Sequence, residues 1–226
     1  MLSRTLLVLF LSSAAFAGSI TQYSDRPTFL GAVGPVTVED FTNDGHFPIT
    51  TGILNAATNL PGIGIVPGTI QPGVTYSAPV DIPAPCCQFN IDSGASYSGG
   101  FLDTLLAGAR SRPITITFDG PVRAFGFNTS TLGGTSKNIV INFTSGPAFI
   151  ANLNIGTGFP FFGFESDAQD IESVVLQYNS PASFGAAFDD FTFTDPGASN
   201  VPEPATFTLA GAAFAMAALL LRKTRS

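Results

Sequence analysis

Tryptophan is absent from this sequence, and histidine, cysteine and basic residues are scarce. The 226 residues include no Trp, one His and two Cys, and nine Lys and Arg stand against sixteen Asp and Glu. The missing Trp leaves sugar stacking to exposed Phe or to Tyr23, Tyr76, Tyr97 and Tyr178. The net charge of −7 excludes a nucleic-acid partner, because phosphates are bound by Lys and Arg patches. It favours neutral glycans, divalent cations or other proteins as partners.

The lack of a recognisable catalytic constellation argues against an enzyme. The single histidine, His46, lies in a Gly/Pro-rich turn, without a Gly-x-Ser-x-Gly motif or a nucleophilic Cys arrangement, so we interpret it as a solvated loop residue. One dense carboxylate group, Glu165, Asp167, Asp170 and Glu172, has the residue types of a glycosidase pair, which needs two carboxyl groups about 5–10 Å apart. Because it falls in a predicted turn, where solvated acids are common, polysaccharide hydrolysis is the second alternative function.

The only cysteines, Cys86 and Cys87, are adjacent in a Pro-rich segment. In an oxidising compartment free thiols do not persist, and no third cysteine offers an ordinary intrachain bond. Neighbouring Cα atoms lie ~3.8 Å apart, below the usual disulfide range, so a bridge between them would be strained. The hypothesis is a vicinal disulfide. The alternatives are two buried thiols or an intermolecular bond, and a metal site lacks nearby partners.

The N-terminus has the three parts of a secretory signal. Arg4 provides a positive charge, Leu6 to Leu11 an apolar stretch, and Ala15-Phe16-Ala17 a small-x-small site for signal peptidase. Residues 1–17 are therefore predicted to be a cleaved signal peptide. The alternative is an uncleaved N-terminal anchor, for which the apolar stretch is short.

The C-terminus, residues 201–226, holds three segments in order. They are a Pro/Glu motif (Val201, Pro202, Glu203, Pro204), an uncharged apolar run (205–221) and a basic cluster (Arg222, Lys223, Arg225). As a helix the run reaches about 25 Å, enough for a single transmembrane helix in a hydrocarbon core of about 30 Å. The basic cluster is predicted to stop transfer and stay cytoplasmic, which leaves the preceding chain outside.

This order of segments resembles the PEP-CTERM sorting signal of bacteria that make exopolysaccharide. The resemblance implies that an exosortase-type membrane protease recognises and processes the tail. It also implies an exported protein, anchored in the cytoplasmic membrane before processing and then delivered to the cell surface or extracellular matrix. The alternative is a permanent single-pass tail anchor.

Residues 18–194 have the length and composition of one all-β domain, followed by a polar spacer at 195–200. A short N-terminal helix is predicted, with Ser24 or Asp25 as its cap, Pro27 in its first turn and Gly34 at its end. Alternating apolar residues then predict short strands, which are typical of an antiparallel β-sandwich or jelly roll. They are expected at 36–41, 74–76, 88–91, 114–118, 122–127, 139–143, 149–155, 161–164, 171–178 and 185–193, with a turn at 119–121.

Part of this domain resembles the β-sandwich ectodomains found ahead of PEP-CTERM tails. The shared features are a Phe-Asp-x-Pro-Val turn at 118–122, Ala-Phe-Gly-Phe at 124–127, Phe-Phe-Gly-Phe at 161–164 and a terminal pair, Asp189-Asp190. The resemblance implies fold and location and does not imply an activity.

Two acidic pairs, one on the first predicted strand and one on the last, suggest a structural calcium ion. They are Glu39-Asp40 and Asp189-Asp190. Calcium takes six to eight oxygen ligands, which these carboxylates and backbone carbonyls could supply. The arrangement resembles galactose-binding-like carbohydrate-binding modules. The alternative is that alternate members of each pair face solvent.

The sequence as a whole predicts an exported, non-enzymatic protein of the cell surface or exopolysaccharide matrix. The first alternative is a glycan-binding module of the envelope.

Overall fold

The protein forms short antiparallel strands and one α-helix. The computed structural model describes residues 19–41, 49, 51–78, 90–92, 101–103, 113–132, 137–153, 159–178 and 184–196. The helix is α1 (Arg26–Val33). The strands are β1 (Ile20–Tyr23), β2 (Thr37–Glu39), β3 (Ile53–Leu54), β4 (Val74–Ser77), β5 (Asn90–Asp92), β6 (Phe101–Asp103), β7 (Ile114–Val122), β8 (Ala124–Leu132), β9 (Lys137–Phe143), β10 (Phe149–Leu153), β11 (Phe161–Ser166), β12 (Ile171–Tyr178) and β13 (Phe184–Phe193), with a 3-10 turn at Pro61–Ile63.

These strands build two antiparallel sheets. The seven-stranded sheet has the order β1-β11-β8-β13-β6-β5, with β2 also paired to β13. The six-stranded sheet has the order β10-β9-β12-β7-β4-β3. Strands β7 and β8 lie in different sheets although only Arg123 separates them. The predicted β-sandwich with one short N-terminal helix is confirmed.

Apolar side chains from the facing sides of both sheets form the core. In β7 the pattern is strict, with Ile114, Ile116 and Phe118 buried and Thr115 and Thr117 outside. Phe191 lies at the centre of the core and is fully buried. Six aromatic rings surround it at centroid distances of 5.8 to 6.2 Å, from Tyr76, Phe118, Phe125, Phe127, Phe188 and Phe193.

Helix α1 covers part of the outer side of the seven-stranded sheet. Asp25 caps it, because a side-chain oxygen accepts a hydrogen bond from the Thr28 amide at 2.9 Å, and Gly34 ends it with a φ of 76°. Phe29 packs directly over Gly163, where a Cβ atom would lie 2.6 Å from the Phe29 ring. A glycine is required at this position for the helix to approach the sheet.

Several local features differ from the sequence prediction, among them three strands that were not predicted, β1, β3 and β6, and the longer extent of β8. Strand β1 was not predicted, because its sequence Ile-Thr-Gln-Tyr has little apolar alternation, and it forms by pairing with the edge of β11. Residues 119–121 lie inside β7 instead of forming a turn between strands. The register with β12 shifts there, so the predicted turn is an irregularity within one long strand.

Several predictions concern residues outside the described ranges. They are the signal peptide at 1–17, His46, the Cys86–Cys87 disulfide and the tail at 201–226. In the part of the chain that the structure describes, no helix has the length and apolar character needed to cross a membrane. The predicted transmembrane segment at 205–221 lies beyond that part and stays a prediction.

Candidate functional site

The fold brings the four residues of the predicted calcium site to one region. Strand β2 pairs with β13 so that Glu39 lies opposite Phe191. On the same side of β13, β6 pairs only through Ala187 and Phe188. Asp189 and Asp190 therefore lie in the interval between two partner strands. We call the group Glu39, Asp40, Asp189 and Asp190 the acidic junction.

Glu39 is a buried member of the acidic junction, with 2% of its surface exposed. Its carboxylate accepts backbone hydrogen bonds from Phe41 at 3.1 Å and Gln71 at 2.6 Å. Burial raises the pKa of Glu39, and these two hydrogen bonds oppose the shift. The carboxylate thus ties the segment before β4 to the end of β2.

Asp189 is similarly buried and lacks a cationic partner at hydrogen-bond distance among the described residues. Burial raises its pKa to about 7, and the neighbouring carboxylates Asp190 and Asp40 raise it further. Its Oδ1 accepts a hydrogen bond from the Asp190 amide at 2.7 Å, which partly offsets the cost of burial. The Asp189 carboxyl group therefore ionises at a higher pH than an ordinary aspartate.

Arg26 connects helix α1 to the acidic junction. Its guanidinium forms an ion pair with Asp190 and donates to Asn128 at 3.3 Å and Thr192 at 3.1 Å. It also lies over the Phe161 ring, 6.0 Å from the ring centroid. This one side chain joins the helix, β8 and β13.

The calcium site stays a prediction. Within the described ranges, no three His, Cys, Asp or Glu side chains are arranged to hold a metal ion. In this arrangement Arg26 supplies positive charge to Asp190, and backbone amides bind Glu39. The pairing of the first and last predicted strands, on which the hypothesis depended, is present.

The carboxylates considered for hydrolysis bind neighbouring parts of the chain. Their donors are Tyr23 to Glu165, Ser19 to Asp167 at 2.7 Å and Ser166 to Asp170 at 2.6 Å. Glu172 is exposed on β12. These hydrogen bonds fasten β1 to β11 and close the turn before β12.

A second candidate site is the outer face of the six-stranded sheet. Cross-strand pairing places one residue from each strand in a continuous row: Ile53, Ser77, Thr115, Val175, Val140 and Ile150. Six strands at about 4.8 Å spacing make this row about 24 Å long. Ile53 and Ile150 mark its two ends and are 54% and 61% exposed.

Polar rows lie on both sides of this central row, in which four of the six side chains are aliphatic. One consists of Thr75, Thr117, Ser173 and Asn142, and the other of Gln177, Asn138 and Asn152. Asn142 donates to the Ser173 hydroxyl at 3.0 Å, so neighbouring polar groups on this surface are already oriented. No position in the three rows carries a charged side chain. We call these three rows together the outer face.

The sequence reasoning did not identify the outer face. It named tyrosines as candidate glycan contacts, but Tyr76 is fully buried and packs against Phe41, Phe188 and Phe191. Tyr97 lies outside the described residues. The sequence signal that indicates this face is the alternation of uncharged polar residues with isoleucine, as at residues 114–117 of β7.

The fold and its surfaces define a two-sheet antiparallel β-sandwich. No family model and no curated protein matches the chain. Among solved structures it is similar to a family 29 carbohydrate-binding module from Piromyces equi, at 14% identity and a TM-score of 0.34, covering 57% of this chain and 97% of that one. It is also similar to the family 11 carbohydrate-binding module from Clostridium thermocellum, at 11% identity and a TM-score of 0.32, covering 56% of this chain and 86% of that one.

Proposed function

We propose that this protein is an exported, non-enzymatic β-sandwich that binds neutral glycans through its outer face. The observation that carries the proposal is the absence of charge from three neighbouring rows of side chains in a chain with sixteen acidic residues and a net charge of −7. A ligand that approaches this face meets hydroxyl, amide and aliphatic groups. Acidic polymers are repelled by the net negative charge of the protein.

The chemistry of the outer face matches that of a neutral sugar chain. Hydroxyl groups on a sugar both donate and accept hydrogen bonds, as do the side chains of Ser, Thr, Asn and Gln. The four aliphatic side chains of the central row offer contact to the apolar C–H surfaces of sugar rings. Because aromatic rings are absent from the three rows, binding depends on many hydrogen bonds of about 0.5–1.5 kcal/mol each.

Removing two exposed polar side chains from the outer face should weaken glycan binding. The double variant Thr117→Ala/Gln177→Ala of residues 18–200 loses two hydrogen-bonding groups, so we expect about a 10-fold lower affinity. The affinity is measured by the retardation of the domain in native gels that contain a neutral polysaccharide. Gels that contain an acidic uronate polymer serve as the comparison. We expect retardation by the neutral polymer alone.

The matched control is Thr21→Ala/Gln22→Ala. It removes the same two exposed residue types from β1 in the other sheet and should leave retardation unchanged. Equal losses in both double variants, or no retardation of the unaltered domain by any neutral glycan, would favour a matrix component without a glycan ligand.

We also propose that the tail is a sorting signal and that the domain reaches the cell surface. The support is the ordered sequence of residues 201–226 together with the signal peptide at 1–17. In a host with an exosortase we expect mature chains that begin at Gly18 and end near Pro204. Intact-mass spectrometry of the native protein measures both ends. Recovery of chains ending at Ser226 in such a host would support the permanent anchor instead.

A further inference from the structure

Strand β10 forms one edge of the six-stranded sheet. It pairs with β9 from Phe149 to Leu153, and none of the described strands pairs with its other side. An edge strand presents unpaired backbone N–H and C=O groups at alternate residues. Those groups can hydrogen-bond a further strand.

This edge lacks the features that usually prevent strand addition. Its sequence, Phe-Ile-Ala-Asn-Leu, has no Pro and no charge, and its register with β9 has no bulge. The opposite edge of the same sheet, β3, has only two residues. An uncharged and regular edge of five residues is therefore open to the addition of another strand.

We propose that two copies of this protein associate by antiparallel pairing of their β10 strands about a twofold axis at Ala151. This joins the two six-stranded sheets into one. The proposal is independent of glycan binding, although the joined sheets would also make the two outer faces continuous.

The register centred on Ala151 pairs all five residues of each strand. It places Phe149 opposite Leu153 of the second copy, Ile150 opposite Asn152, and Ala151 opposite its own equivalent. On the inner side, the small Ala151 pair is flanked by a large Phe–Leu pair at each end. On the outer side, Ile150, which is 61% exposed, gains a cross-strand neighbour.

The charge distribution favours a second copy as the occupant. A twofold interface is self-complementary, and an uncharged strand brings no like charges face to face. The net charge of −7 on each chain opposes association at longer range, and salt screens that repulsion. The dimer should therefore become stronger as ionic strength rises.

Cysteine cross-linking of the full-length chain in detergent tests the register. Both native cysteines are changed to serine, and Ile150→Cys chains are mixed with differently tagged Asn152→Cys chains before mild oxidation. We expect the mixture to form at least 5-fold more covalent dimer than either variant alone. The control mixture, Ile53→Cys with Asn152→Cys, uses an equally exposed residue at the opposite edge and should not cross-link above background.

A second measurement avoids cysteines. Sedimentation equilibrium of the unaltered full-length chain should show a concentration-dependent dimer that strengthens with salt. Ile150→Lys should weaken it at least 10-fold, with no change in melting temperature at concentrations where both proteins are monomeric, because that side chain is exposed. Equal cross-linking in the control mixture, a chain that stays monomeric at all salt concentrations, or an unaffected lysine variant would each overturn the proposal.

Discussion

Replacing Phe191 with alanine is expected to lower the free energy of unfolding by about 3–5 kcal/mol, a typical cost of deleting a buried aromatic ring. The side chain is fully buried and has six aromatic neighbours from both sheets. Its loss opens a cavity that strands held by backbone pairing cannot readily close. The free energy of unfolding of most domains is only about 5–15 kcal/mol, so this substitution would remove a large part of it.

Urea unfolding of residues 18–200, followed by circular dichroism, measures this change. The control is Ile53→Ala, since Ile53 is 54% exposed and its truncation should cost about 0.5 kcal/mol or less. Similar losses for the two variants would mean that the core is not centred on Phe191.

The largest effect of pH is expected at Asp189. Its pKa is raised from 3.8 in its ordinary environment to about 7, mainly by burial. Between these values the folded protein holds a proton that the unfolded chain has released, so stability falls as pH rises through this window. Asp189→Asn cannot ionise, and its amide oxygen can keep the hydrogen bond from the Asp190 amide. We expect the variant to be more stable than the wild type by about 2–4 kcal/mol at pH 8 and equally stable at pH 3.

Urea unfolding at a series of pH values measures the difference. A chelator is included because a calcium ion at this position would itself favour the ionised carboxylate. The same substitution at the next residue, Asp190→Asn, is the control and should change the stability at pH 8 much less, since it removes both the ion pair with Arg26 and the repulsion of Asp189. Some pH dependence should remain in Asp189→Asn because the pKa of Glu39 is also raised. A variant less stable than the wild type at pH 8 would contradict this description of the acidic junction.

Local sequence signals predicted much of the fold because its strands and helix follow short-range rules. Strand β12 was predicted with its observed bounds from its β-branched and apolar residues, of which Ile171, Val174 and Leu176 are buried. Helix α1 follows from Asp25, which provides its cap, and from Gly34, which adopts the left-handed φ that ends it. Each of these signals lies within a few residues of the structure that it determines.

The candidate sites could be predicted only in part because they depend on strand register. The acidic junction was predicted in outline, since pairing of the first and last predicted strands is common in sandwiches, but the burial of Asp189 was not predicted. The outer face combines residues as distant in sequence as Ile53 and Val175. A local sequence pattern does not predict which residues become neighbours across six strands, because that depends on strand order and register.

Chemical-shift mapping tests the central claim most directly. Backbone amide spectra of residues 18–200 are recorded during titration with a neutral oligosaccharide from a polymer that retards the domain in gels. Binding through the outer face predicts shifts concentrated at Thr117, Asn138 and Gln177, with those of Thr21 and Gln22 unchanged. Shifts concentrated on the seven-stranded sheet, or no shifts at saturating sugar, would contradict the proposed function.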